Sequence, residues 1–201
     1  MALMTRVKIC GITTPGDAQA AAEAGVDAIG LNFWPGSARY VNEAQARCVV
    51  RDLPPDVLRI GVFVDATAEE MEEMAALVGL DAVQLHGAPD RPVRLRWWQA
   101  LSAGSPGWQA LARQSLAEII LLDTPAGPER GGTGRTFDWT IAREAGRAII
   151  LAGGLGPDNV AAAVRQVRPW GVDACSRLEI EPGRKDHGKM KAFVKAVRET
   201  D

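Results

Sequence analysis

Two side chains, Cys10 and Asp123, stand where a sequence places reactive groups. Val7 and Ile9 alternate with Lys8 and Cys10 in RVKICG, and Gly11 breaks the run immediately after the thiol. Asp123 closes the run IILLD after four aliphatic residues. Each is then the last side chain of a strand. Free cysteine titrates near 8.5 and aspartate near 3.9, so at neutral pH the thiol is protonated and the carboxyl is not. A site using Cys10 as base and Asp123 as acid must reverse both. The apolar run before Asp123 supplies desolvation, and a cation or helix N-terminus near Cys10 would lower the thiol. Opposed tuning of this kind lets one cavity hold an acid and a base. The plain alternatives are a cysteine acting as a small core hydrophobe and an aspartate capping the next loop.

A third feature is Gly153 to Asp158, GGLGPD. Its glycines permit close backbone approach, and Pro157 suits a helix start whose free N–H groups attract phosphate. Gly154, Gly156 and Asn159 lack the third glycine of the dinucleotide fingerprint. A helix cap without ligand is the plainer reading.

The elements that must carry these groups repeat one phrase. Strand runs at Arg6–Gly11, Val26–Trp34, Arg59–Asp65, Asp81–Gly87, Leu95–Leu101, Ile119–Asp123, Ala148–Ala152 and Trp170–Ser176 alternate with helical segments. Thr14 with Pro15, Asn42, and Thr67 with Glu70 mark helix starts at the first three. Further helices are expected over Gly107–Glu118, from Asp138, up to Val167, and over His187–Arg198. Asp81–Gly87 is followed by a short return broken by proline. Alternating β and α predicts parallel strands with right-handed crossovers, in a closed barrel or an open doubly wound sheet. Eight units favour a single (β/α)8 barrel over residues 1–201, where chemistry sits at the C-terminal strand ends. At 201 residues the loops must be lean.

Composition narrows the function. With 47% hydrophobic and 24% charged residues, the chain reads as one soluble globular domain. A net charge of −2 with scattered basic residues predicts no nucleic-acid partner, and no long apolar run predicts a membrane span. Cys10, Cys48 and Cys175 are too few and too widely spaced for a disulfide framework or zinc site, which points to a reducing cytoplasm. Only His86 and His187 are present, so no metal site built on several histidines is expected.

Six segments, taken together and in order, resemble one family. They are KICGIT at Lys8–Thr13, NFWPGSARYV at Asn32–Val41, QLHG at Gln84–Gly87, LLDT at Leu121–Thr124, GGTGRTFDW at Gly131–Trp139 and LAGGLGPDNV at Leu151–Val160. The combination is similar to phosphoribosylanthranilate isomerase over nearly the whole chain. That resemblance implies a (β/α)8 barrel of tryptophan biosynthesis performing an Amadori rearrangement on a small phosphorylated substrate without metal or organic cofactor. It implies Asp123 as general acid on the ribose ring oxygen and Cys10 as base at C2. Arg39 would take the anthranilate carboxylate, and the Gly153 and Gly154 amides with Ser176 the phosphate. His86 would face the substrate, and the loop Gly131, Gly132, Thr133 and Gly134 would close over it. Phe33 and Trp34 are expected to pack and His187 to lie on the surface. Oligomeric state is left open.

One departure stands on the last strand. Where the family carries Ser-Ser-Gly-Val-Glu, this chain reads Cys175, Ser176, Arg177, Leu178, Glu179. Arg177 either adds a guanidinium to the phosphate or obstructs it, and a left-handed arginine would cost about 1–2 kcal/mol. Arg177 is also the sole support for a rival reading, an impaired barrel that binds a sugar phosphate in a regulatory role. A pentose-phosphate epimerase would need histidine and aspartate metal ligands, which two histidines hardly supply. A second activity on a histidine-pathway intermediate is a further alternative, for which the short chain leaves little room.

Overall fold

The structure, a computed structural model, describes residues 4–124 and 138–200. Eight parallel strands close into a barrel in sequence order. They are β1 (Arg6–Ile9), β2 (Ala28–Asn32), β3 (Leu58–Val64), β4 (Ala82–His86), β5 (Trp97–Ser102), β6 (Ile119–Asp123), β7 (Ile149–Leu151) and β8 (Gly171–Ala174). The seam is β1 against β8, with Lys8 opposite Asp173 and Ile9 opposite Ala174.

Alternation along each strand sorts side chains into two sets. Val7, Ile9, Ile29 and Leu31 face outward, beneath helices α1 (Pro15–Ala24), α2 (Glu43–Val50), α3 (Ala68–Val78), α4 (Trp108–Gln114), α5 (Val160–Val167) and α6 (His187–Arg198). Ala28, Ile60, Ala82, Trp98, Leu121 and Ile150 fill the barrel interior. Trp98 closes the bottom of the barrel, edge-on to Trp170 at 6.4 Å between ring centroids. The paired tryptophans of β5 are therefore explained by parity: Trp98 faces the interior and Trp97 the surrounding shell.

The expected helix starts are present. Thr14, Asn42 and Thr67 each accept from the backbone of the third residue on, the latter two in full capping boxes with Gln45 and Glu70. The short return expected between β4 and β5 is present, with no helix in it. Three expectations are corrected. The expected helix from Asp138 is a 3-10 helix, Trp139–Ala145. Helix α4 stops at Gln114 rather than Glu118. Pro157 opens a turn rather than the helix itself. Asn159 and Val160 both donate to the Gly156 carbonyl, and α5 begins at Val160. The helix-free return between β4 and β5 contributes to a barrel shorter than the roughly 250 residues typical of the fold. A hairpin that the sequence reading lacks, β9 (Glu179–Glu181) with β10 (Arg184–Lys185), follows β8.

Candidate active site

A cavity of about 550 Å³ opens at the C-terminal ends of the strands. Cys10, Arg39, His86, Asp123, Gly153, Gly154 and Ser176 all line it, so chain positions more than a hundred residues apart meet there. The lid glycines Gly131, Gly132 and Gly134, with Thr133, lie outside the described residues.

Asp123 closes β6, and its Oδ1 accepts from the Thr124 N–H at 2.7 Å. The local cap and the candidate acid are thus the same carboxyl. Burial pushes it up to about 6, and negative charge on Cys10 adds to this. Gly153 stands against it with φ +85. A Cβ there would fall within 2.0 Å of Thr124 Oγ1 and 3.0 Å of Asp123 Oδ1. Only glycine fits, in backbone conformation and in space.

Cys10 follows β1, one step beyond buried Ile9. A hydrogen bond from Cys175, together with the charges of Lys8 and Lys185, holds its thiol well below the usual value against the opposing effect of burial. Lys8 lies two residues back on the same inward face, its Nζ 2.9 Å from Asp173 Oδ2, with both side chains buried. Burial opposes the Lys8 charge, but Asp173 and Cys10 outweigh it, so the ammonium persists. Burial also pushes Asp173 up to about 7, and its Oδ1 is buried with no hydrogen-bond partner among the described residues. Gly11, at φ +71, leaves the room a side chain would take from Cys175 Sγ (2.9 Å) and Arg39 Cδ (3.1 Å).

Arg39 comes from the loop after β2 and is already engaged. Its Nε and Nη2 form a fork on Glu179, with Nη2 to Oε2 at 2.7 Å. Glu179 also takes the buried Lys185 ammonium at 2.8 Å, and these two cations hold it below the usual carboxylate range although burial opposes this. The hairpin β9–β10 therefore supplies both halves of a charge network that fixes Arg39 at the cavity wall. Replacing Glu179 with leucine strands a buried ammonium and a half-buried guanidinium. We expect a loss of about 3–5 kcal/mol, seen as a lower midpoint in thermal unfolding by circular dichroism.

Arg177 does not line the cavity. Its Nη1 donates to the Gly154 carbonyl at 3.1 Å and its Nη2 to Asp158 Oδ2 at 2.9 Å, bracing the turn ahead of α5. Residue 177 sits in a short 3-10 turn, Ser176–Leu178, and is not among the positive-φ residues, so no left-handed cost arises. Its pair with Asp158 is partly exposed and worth at most about 1 kcal/mol. Arg177→Gly should therefore change KM for a phosphorylated substrate by less than about fivefold, a limit that steady-state kinetics would check.

His86 lines the cavity at the end of β4, with its Nε2 3.2 Å from Gln84 Nε2. Phe33 packs as expected, stacked on Phe63 at 5.2 Å. Trp34, expected only to pack, also lines the cavity, with Gly36 tight against its ring. His187 is more than half exposed and bonds Asp17 at 2.8 Å. The sequence reading did not find Lys8, Asp173, Cys175, Glu179 or Lys185. Parity with Cys10 carried a signal for Lys8, and the departure at position 175 carried one for its thiol. Among the described residues no helix is long and apolar enough to cross a membrane.

The family model for N-(5'phosphoribosyl)anthranilate (PRA) isomerase matches residues 7–196. A protein of Magnetococcus marinus named N-(5'-phosphoribosyl)anthranilate isomerase is 46% identical, covering 98% of this chain and 96% of its own. The crystal structure of phosphoribosyl anthranilate isomerase from Thermotoga maritima superposes with a TM-score of 0.87 at 40% identity, over 98% of this chain and 100% of that one. Another isomerase structure holds reduced 1-(o-carboxyphenylamino)-1-deoxyribulose 5-phosphate and matches with a TM-score of 0.84 at 37% identity, over 98% and 100%. With a closed eight-stranded barrel and the family model spanning nearly all of it, this chain belongs to the phosphoribosylanthranilate isomerase family.

Proposed function

We propose that the chain converts N-(5′-phosphoribosyl)anthranilate to 1-(2-carboxyphenylamino)-1-deoxyribulose 5-phosphate, the Amadori step of tryptophan biosynthesis, with Asp123 as acid and Cys10 as base. The observation that carries this reading is a single cavity holding a carboxyl pushed up to about 6 and a thiol held well below its usual value. Its volume is within the roughly 300–1,000 Å³ of small-molecule sites.

In this scheme protonated Asp123 donates to the ribose ring oxygen as the C1–O bond breaks. The amine lone pair completes an iminium. The Cys10 thiolate then takes the proton from C2, and the C–H electrons form the enolamine while neutralising nitrogen. Tautomerisation gives the ketone. The fixed Lys8 ammonium beneath Cys10 favours the thiolate before reaction and costs no reorganisation during it.

The remaining contacts follow from geometry and charge. Arg39 keeps Nη1 without a hydrogen-bond partner among the described residues, suited to the anthranilate carboxylate. Gly153 and Gly154, both at positive φ, turn the chain where their amides with the Ser176 hydroxyl can cradle phosphate. His86 and Trp34 would flank the substrate. The solved relative that holds a carboxyphenylamino-deoxyribulose phosphate supports the same substrate class.

Loss of phosphoribosylanthranilate fluorescence on adding purified protein is the direct test, and absence of turnover would overturn the reading. Arg39→Lys keeps the charge facing Glu179 but loses the fork. We expect KM to rise about tenfold, the worth of one charge-assisted hydrogen bond, with kcat changed less.

A further inference from the structure

The sulfur of Cys10 has a second sulfur for a neighbour. Cys10 donates its N–H to the Ala174 carbonyl at 2.9 Å, extending the ladder that pairs Ile9 with Ala174, so Cys10 and Cys175 are the next registered pair. Both side chains fall on the inward face and both line the cavity. Neighbouring strands lie about 4.7–4.9 Å apart, within the roughly 4.4–6.8 Å between Cα atoms that a disulfide spans. Two glycines leave space for the sulfurs: a Cβ on Gly30 would lie 2.8 Å from Cys10 Sγ, and one on Gly11 2.9 Å from Cys175 Sγ. Lys185 Nζ stands 3.7 Å from Cys175 Sγ and brings positive charge to the pair. All three cysteines are free, and Cys48 is exposed on α2, away from the cavity.

We propose that Cys10 and Cys175 form a peroxide-responsive dithiol within the active site, in which Cys10 is the attacking sulfur and Cys175 the resolving one. The Cys10 thiolate attacks hydrogen peroxide, breaking the O–O bond to give Cys10 sulfenic acid and hydroxide. The Cys175 thiol then attacks the sulfenic sulfur, an S–S bond forms, and water leaves with the Cys175 proton. The two sulfurs lose two electrons and peroxide gains them. The disulfide removes the base and halts turnover. It also keeps Cys10 from the irreversible sulfinic stage, and a dithiol reductant restores both sulfurs. The polarity of the pair follows from the site: Cys10 is the sulfur held ionised, whereas its hydrogen bond to Cys10 and burial push the Cys175 thiol well up.

The test uses the full chain with Cys48→Ser, exposed to a small excess of hydrogen peroxide at neutral pH and then alkylated. We expect a protein two hydrogens lighter, a peptide cross-link between positions 10 and 175, loss of nearly all turnover, and recovery with dithiothreitol. With Cys175→Ser added, we expect no cross-link, trapping of sulfenic acid at Cys10 by dimedone, and progression to a sulfinic form that dithiothreitol does not rescue. Cys175→Ala serves where the serine variant does not fold. Oxygen added at Cys10 without a cross-link in the parent, or equal recovery of parent and variant, would overturn the proposal. Only the activity readout rests on the proposed isomerase reaction. A cross-link in a protein that never turns over substrate would sink that reaction and leave the dithiol standing.

Discussion

Asp123→Asn should lower kcat by about 10²–10⁴-fold, the worth of a placed general acid, while the barrel closes as before. The amide keeps an oxygen for the Thr124 N–H and so preserves the local cap. The same variant should be more stable than the parent above pH 6. Burial raises the folded-state carboxyl from about 3.9 to about 6, so between those values the folded chain binds the extra proton and stability falls as pH rises. Above the folded value the full penalty, up to about 3 kcal/mol, is present; below the unfolded value it is absent. Thermal unfolding at pH 4 and pH 8 should therefore show a gain for Asp123→Asn at the higher pH only. A variant as active as the parent, or one equally stabilised at both, would remove Asp123 from the role of acid.

Cys10→Ala should cost as much, because alanine has no group to take the proton that the proposed base removes. We expect a fall of about 10²–10⁴-fold in kcat with little change in KM, since the thiolate is called on in the transition state more than in binding. The pH profile of the parent carries the complementary signature. If Cys10 is the base, kcat/KM should decline on the acid side as its thiolate takes up a proton, at a pH well below that of an ordinary thiol. If Asp123 is the acid, it should decline on the alkaline side as that carboxyl loses its proton, beginning near 6. An acid limb at the ordinary cysteine value would show that Lys8, Lys185 and Cys175 do not act on the sulfur as the geometry requires.

Much of this was legible in the linear sequence, and the parts that were not share a cause. Strand ends, capping boxes and the glycine turn at Gly153 are set by residues within a few positions, so Cys10, Asp123 and Thr67 announced their places. Lys8 read as the polar half of an alternating strand, because its partner Asp173 lies 165 positions away. Arg39 gave no sign that Glu179, 140 positions on, would clamp it. The short return after β4 was legible from its own proline-broken residues, whereas Trp139–Ala145, capped by Asp138, gave no sign that its turns would be 3-10 rather than α. Trp97 and Trp98 obscured β5 because a doubled tryptophan carries no obvious period until one ring is seen to fill the barrel floor.

The β1–β8 seam has a consequence for biosynthesis. Lys8 with Asp173, the Cys10 amide with Ala174, Thr13 with Gly183 and Arg198 with Thr5 all join the first turn of the chain to its last quarter. Closing loops of that length is entropically the slowest part of assembly. A nascent polypeptide still short of residue 171 lacks Cys175 and Lys185, two of the groups that lower the Cys10 thiol. The full tuning of that sulfur therefore waits until the ribosome has delivered nearly the whole message.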